Sequence, residues 1–203
     1  MPARSPPANG AIDSAAAMAT QRTDGMCVAL LRGINVGGNK KVPMAELRAL
    51  AAKLGWRDVA TYIQSGNVVF AGGGGAAAAE RALEQAIEKH FGFPVPVVVR
   101  TAAQWGAFAS RSPFRDAEKE RANALHLGLS KQPPARGAAA ALREYAKAGE
   151  RIAIEDGAIW IDFAGGVAGS KVTPAVLDRL VGSSVTLRNW KTVQALAAML
   201  TPA

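Results

Sequence analysis

The sequence predicts an α+β protein of two tandem halves, each ordered strand-helix-strand-strand-helix-strand. Three observations lead there. Apolar runs of strand length alternate with segments whose apolar residues recur at helical spacing. Short Gly/Asn/Asp turns join neighbouring strands in the middle of each half. The same grammar then appears twice, without sequence identity between the copies.

Residues 1–25 are rich in Ala, Pro, Ser and Gly without hydrophobic periodicity, and read as a disordered leader. Met18 and Met26 are candidate alternative starts. The first strand is MCVALLR, 26–32, a continuous apolar run of the kind buried on both faces of a sheet. Pro43 suits the first turn of a helix carrying Met44, Leu47, Leu50, Ala51 and Leu54, which Gly55 closes. Residues 59–64 (VATYIQ) and 68–70 (VVF) are strands joined through Ser65-Gly66-Asn67. The run 72–75 is a glycine loop. An amphipathic helix follows over 76–91, through Ala79, Leu83, Ala86, Ile87 and Phe91. The strand at 95–100 (VPVVVR) contains Pro96, which suggests an edge position.

Residues 102–122 hold a short helix (TAAQWGAFAS begins at 101) and the charged stretch RDAEKER, and connect the halves. The second half offers a strand at 123–129, an Ala-rich helix at 135–147 and a hairpin of 151–155 and 158–163 turned by Asp156-Gly157. A helix at 173–181, a strand at 184–187 and an extra C-terminal helix at 190–200 complete it. The order β-α-β-β-α-β is that of ferredoxin-like subdomains. The expected organisation is a leader (1–25), an N-terminal ferredoxin-like subdomain (26–101), a connector (102–122) and a C-terminal one (123–203).

Net charge is +8 and the isoelectric point near 10.1. Residues 26–101 carry nine basic and five acidic side chains; residues 102–203 carry thirteen and nine. Each half is therefore +4, and the excess lies on the folded body rather than on a tail. That balance favours anionic partners, a small molecule or nucleic acid, by long-range attraction. A single cysteine, Cys27, excludes an intrachain disulfide and a cysteine-based zinc site, and its apolar strand predicts a buried thiol. No apolar stretch reaches membrane-spanning length, so no membrane association is expected, and the location expected is cytoplasmic.

Three polar clusters stand out. The first, RGINVGGNKK at 32–41, joins a buried strand to a helix. Arg32 should sit at the sheet rim, and Gly33, Gly37 and Gly38 permit backbone angles closed to other residues. Asn35 and Asn39 tolerate left-handed conformations, while Lys40 and Lys41 add charge before a helix N-terminus. These parts suit a phosphate, although the spacing matches neither nucleotide-binding glycine motif. The second cluster is the turn Gln64, Ser65, Gly66 and Asn67, which the topology places beside Arg32. The third is Thr186 to Thr192, with Arg188, Asn189 and Lys191 as ligand candidates and Trp190 as a helix anchor. Lys171, with Ser170, could add an anion contact.

Catalytic chemistry is thinly represented. His90 and His126 are isolated, no serine lies in a G-x-S-x-G context, and no metal cluster is indicated. Glu155, Asp156 and Asp162 read as a solvated turn. An RNA-stacking platform would need aromatics on the first and third strands, where only Phe70 occurs. The sequence thus names no catalytic residue and no cofactor, and leaves enzymatic activity open.

The stretches ALLRGINVGGNKKVPMAELR, TYIQSGNVVF and VTLRNWKTV, in that order, closely resemble a bacterial family known as domain of unknown function 1697. The resemblance covers about residues 26–200 and leaves the leader outside. It implies two ferredoxin-like subdomains and no established activity. The family's motif residues match at Arg32, Gly33, Asn35, Gly37, Gly38, Lys40, Gln64, Ser65, Gly66, Asn67, Arg188, Asn189 and Trp190. The expected function is binding of a phosphorylated small molecule or nucleotide through the 32–41 loop. The alternatives are nucleic-acid binding by diffuse charge, and an enzyme with a site between the subdomains.

Overall fold

Apolar residues on two opposite faces make β1 (Met26–Leu31) the natural centre of a sheet, and the computed structural model places it there. The structure describes residues 25–201, so the expected leader lies, apart from Gly25, outside the described residues. Cys27, Ala29 and Leu31 face α1 (Met44–Lys53) and α2 (Ala76–Phe91), packing with Leu47, Leu83 and Ile87. Val28 and Leu30 face the other way, into the core shared by the two halves. β2 (Arg57–Tyr62), β3 (Asn67–Ala71) and β4 (Val97–Thr101) complete an antiparallel sheet of order β2-β3-β1-β4.

The second sheet, also antiparallel, has the order β6-β7-β5-β8. Its strands are β5 (Leu125–Ser130), β6 (Arg151–Glu155), β7 (Ala158–Asp162) and β8 (Val185–Asn189). Ile159 and Ile161 pack on α5 (Ala138–Arg143) and α6 (Pro174–Val181) through Leu142, Leu177 and Val181. Leu125, Leu127 and Leu129 turn to the shared core, where they meet Val28, Leu30 and Val98. The architecture is mixed α+β, two four-stranded antiparallel sheets with helices.

The connector seals this core. It folds as α3 (Ala102–Ser110) and α4 (Arg115–Glu120). Thr101 and Gln104 form a reciprocal capping box at the start of α3. Fully buried Trp105 donates its indole N–H to the Val193 carbonyl of α7 (Trp190–Leu200), at 3.1 Å. Trp190, Val193, Leu196 and Leu200 of α7 then pack between elements of both sheets. Burial of Trp190 against Trp160, with ring centroids 5.9 Å apart, makes it the helix anchor expected.

Three local differences stand out, the first two with backbone causes. The helix expected at 135–147 is shorter, because Gly137 has φ +84° and the chain turns after Arg143. The second strand begins and ends two residues early: Asp58 (φ +54°) lies within a bulge, and Ile63 (φ +48°) breaks the ladder. Asp162, read as part of a solvated turn, is instead buried between Arg121 and Arg151, which both donate to it.

The fourth strand is at the sheet edge, as Pro96 suggested, but it starts at Val97, so Pro96 lies directly before it and not within it. The outward N–H groups of that strand are not left open. Val97 N–H donates to Glu84 Oε1 at 2.8 Å and Val99 N–H to Glu80 Oε1 at 2.9 Å. Among the described residues, no helix is long and apolar enough to cross a membrane.

Candidate functional site

The 32–41 segment is an ordered miniature hairpin. Asn39 N–H donates to the Val36 carbonyl and Asn35 N–H to the Lys40 carbonyl, each at 3.1 Å. Gly37 (φ +58°) and Gly38 (φ +79°) occupy the tip, the positive pair that a tight two-residue hairpin requires. Asn35, itself at φ +55°, fastens the hairpin at its base. Its Nδ2 donates to the Val42 carbonyl (3.0 Å) and the Gln64 carbonyl (2.8 Å), and its Oδ1 accepts from Val42 N–H (2.9 Å). Lys40 Nζ reaches the Pro94 carbonyl at 2.8 Å. Gly37, Gly38, Asn39, Lys40 and Lys41 are all exposed, as is Val36 at 68%.

The turn between β2 and β3 lies against this base. Ile63 and Gln64 are exposed, whereas Gly66 and Asn67 are buried. Asn67 Nδ2 donates to the Tyr62 carbonyl and Ser65 Oγ. Gly66 is obligatory: a Cβ there would lie 2.7 Å from both Leu31 Cβ and Ile34 Cδ1, at a φ of +75°.

Arg188, from β8 in the second sheet, reaches into the first. Its Nε–H donates to Asn67 Oδ1, and its Nη2 to the carbonyls of Leu31 (2.8 Å), Ser65 (2.9 Å) and Gly66 (3.3 Å). Nη1 donates to Thr186 Oγ1 and the Leu187 carbonyl. Every acceptor is neutral. Burial pushes the guanidinium down to about 10, so it remains charged at neutral pH. Beside it, Arg32 pairs with Asp178 of α6 at 2.5 Å, and Asp178 Oδ1 also accepts from Val185 N–H.

The three polar clusters therefore meet, but not as an open site. Arg188, expected as a ligand contact, is buried and bonded within the protein, and Asn67 and Asn35 are likewise committed. Asn189 caps α7, accepting from Thr192 N–H, and Ser65 supplies its carbonyl and hydroxyl to the same junction. Arg32 faces Asp178. Lys171 and Lys191 are exposed and stand apart from the junction's hydrogen bonds. What remains outward is the hairpin tip with Lys40 and Lys41, and Gln64 beside it.

Sequence reasoning missed two features. One is the ionic group of Asp162, Asp116, Arg121 and Arg151, with the Arg151 guanidinium 4.7 Å from the Phe114 ring centroid. The signal was an aspartate ending the apolar run AIWID. The other is a cleft between β4, α3 and the β5–α5 loop.

Two four-stranded sheets riveted by one buried arginine define a single two-half α+β scaffold. The chain belongs to the family described as "Protein of unknown function (DUF1697)", whose model matches residues 26–160. Among solved structures it is similar to the conserved bacterial protein SP0830 from Streptococcus pneumoniae. The TM-score is 0.63 at 23% identity, over 86% of this chain and 98% of that one, which establishes a shared fold. No curated protein matches.

Proposed function

We propose that this protein binds a phosphate-bearing partner through the exposed tip of the 32–41 hairpin. The observation that carries the reading is the division of labour within the loop. Asn35 commits its whole side chain to holding the hairpin, while Gly37, Gly38, Lys40 and Lys41 are left at the surface. Glycines let an anion approach the backbone, and two lysines supply charge. The strand orders β2-β3-β1-β4 and β6-β7-β5-β8 support reading each half as ferredoxin-like, with the hairpin at the end of a central strand. The boundaries 26–101, 102–122 and 123–203 go with that reading.

A phosphorylated small molecule or nucleotide is the first partner class. A nucleic acid is the second, favoured by the spread of basic charge and by exposed Val36 in the same hairpin as the lysines. Arg188 lends no support to a reaction centred on the junction, because its donors are taken. Fluorescence anisotropy with a labelled nucleotide and with mixed DNA and RNA oligomers tests both classes. Lys40→Ala/Lys41→Ala should weaken binding and, for oligomers, reduce the salt slope by roughly one per lysine. Unchanged binding by the double variant, with Lys147→Ala as a distant control, would overturn the proposal. So would failure of the unaltered protein to bind either class at low salt.

A further inference from the structure

We propose that the cleft where α3 meets the β5–α5 loop and the β6–β7 turn is a separate ligand site, taking a small organic monoanion with an apolar body. This proposal is independent of the hairpin reading. The cleft measures about 440 Å³, within the range of small-molecule pockets. Its walls come from both halves and from the connector: Arg100 from β4, Gln104 and Phe108 from α3, Ser130 to Pro133, and Asp156 with Gly157.

Arg100 supplies the charge. It is half-buried, and its hydrogen bonds to protein go to two carbonyls, Val99 (2.8 Å) and Ser130 (2.6 Å). Two of the guanidinium's donors are thus used, and the rest are left for solvent or ligand. Burial lowers its pKa, an effect that the field of Glu80 partly offsets, so an arriving anion would meet a poorly hydrated cation. Such a group gains more from a new charge-assisted hydrogen bond than an exposed lysine does.

The neighbouring polar groups define the ligand's charge. Lys131 lines the cleft but is already paired with Glu84 at 2.6 Å. Asp156 lines it too and opposes a second negative charge. A single guanidinium with donors to spare, in a cleft that Asp156 also lines, fits a monoanionic carboxylate ligand better than a phosphate dianion. Gln104, also on the wall, adds a donor: its Oε1 accepts from Thr101 N–H at 3.0 Å, and its NH₂ group is not used by that capping contact. Phe108, Ala107 and Pro133 give the apolar wall, so the body of the ligand should be aromatic or aliphatic.

Backbone amide shifts of the ¹⁵N-labelled protein, titrated with benzoate, phenyl phosphate and benzyl alcohol, test the assignment. Benzoate should shift Gln104, Phe108, Lys131, Gln132 and Gly157, and bind about tenfold more tightly than benzyl alcohol. Arg100→Gln should abolish that preference, and Phe108→Ala should weaken both aromatics. Lys40→Ala/Lys41→Ala should leave benzoate binding unchanged, which separates this site from the hairpin. Equal affinity for benzoate and benzyl alcohol, shifts centred on residues 36–41, or no shifts would each overturn the proposal. Tighter binding of phenyl phosphate would overturn its monoanion selectivity. Because the shift map uses the unaltered protein, instability of Arg100→Gln would not blunt the test.

Discussion

Asn67 Oδ1 accepts the Nε–H of Arg188 across the boundary between the two sheets, joining positions 121 residues apart in the chain. Asn67 is fully buried and Arg188 nearly so, and the same guanidinium also bonds the carbonyls of Leu31 and Ser65. The contact is thus part of a buried polar network whose members satisfy one another.

Removing either partner should be costly. Arg188→Ala strips donors from several buried acceptors and is expected to destabilise by about 3 kcal/mol or more in urea unfolding. Arg188→Lys should recover little, since an ammonium cannot reproduce the planar fork. A double-mutant cycle with Asn67→Ala should show coupling; strictly additive losses would mean that the two residues act separately.

Acid should act in two stages. Burial depresses the pKa of His126, although its hydrogen bond to the Ala124 carbonyl pulls the other way. Below about 6.5 the unfolded imidazole gains a proton that the folded one resists, so stability falls with pH there. The carboxylates follow. Hydrogen bonds from Arg151 and Arg121 hold Asp116 well below the usual range. Burial pushes Asp162 up, but Arg121 and Arg151 more than offset it. Their contribution is complete above an unfolded pKa of about 4 and is lost as pH falls through the folded values. Urea midpoints between pH 8 and 3 should show both stages, and His126→Phe should remove the first alone.

Cys27 is buried in β1, and desolvation raises its thiol pKa. A thiol-reactive disulfide reagent should label it slowly in the native protein and completely in denaturant. Fast native labelling would contradict the central position of β1.

Two glycines should behave differently on substitution. At Gly37 and Gly38 a Cβ meets nothing within 4 Å, so Gly37→Ala costs only backbone strain, about 1–2 kcal/mol. Gly66→Ala adds a clash with Leu31 and Ile34 and should exceed that, at roughly 3 kcal/mol or more. Equal midpoint shifts for the two variants would rule out the tight seat of Gly66.

Much of the fold was legible because its strands and turns are locally encoded. The run MCVALL predicts burial on both faces, and Val28 and Ala29 do lie in different cores. Asp156-Gly157 and Ser65-Gly66-Asn67 mark hairpins through turn chemistry alone. Arg188 shows where local reading stops. Within LRNWK it resembles a surface arginine, and only the approach of β8 to the other sheet reveals acceptors waiting for it. Asp162 likewise gains its meaning from Arg121 and Arg151, distant in sequence or on a partner strand. The cleft at Arg100 draws its walls from four separate segments, and no motif could announce it.

The carboxylates of Glu80 and Glu84 have a consequence for how copies of this protein meet. An unpaired strand margin is a template on which a second chain can lay its own backbone, the first step toward swapped dimers or fibrils. Along β4 an incoming strand would have to displace Glu84 from Val97 and Glu80 from Val99 before it could form a ladder. The helix that packs on the sheet thus also keeps that margin from recruiting a neighbour.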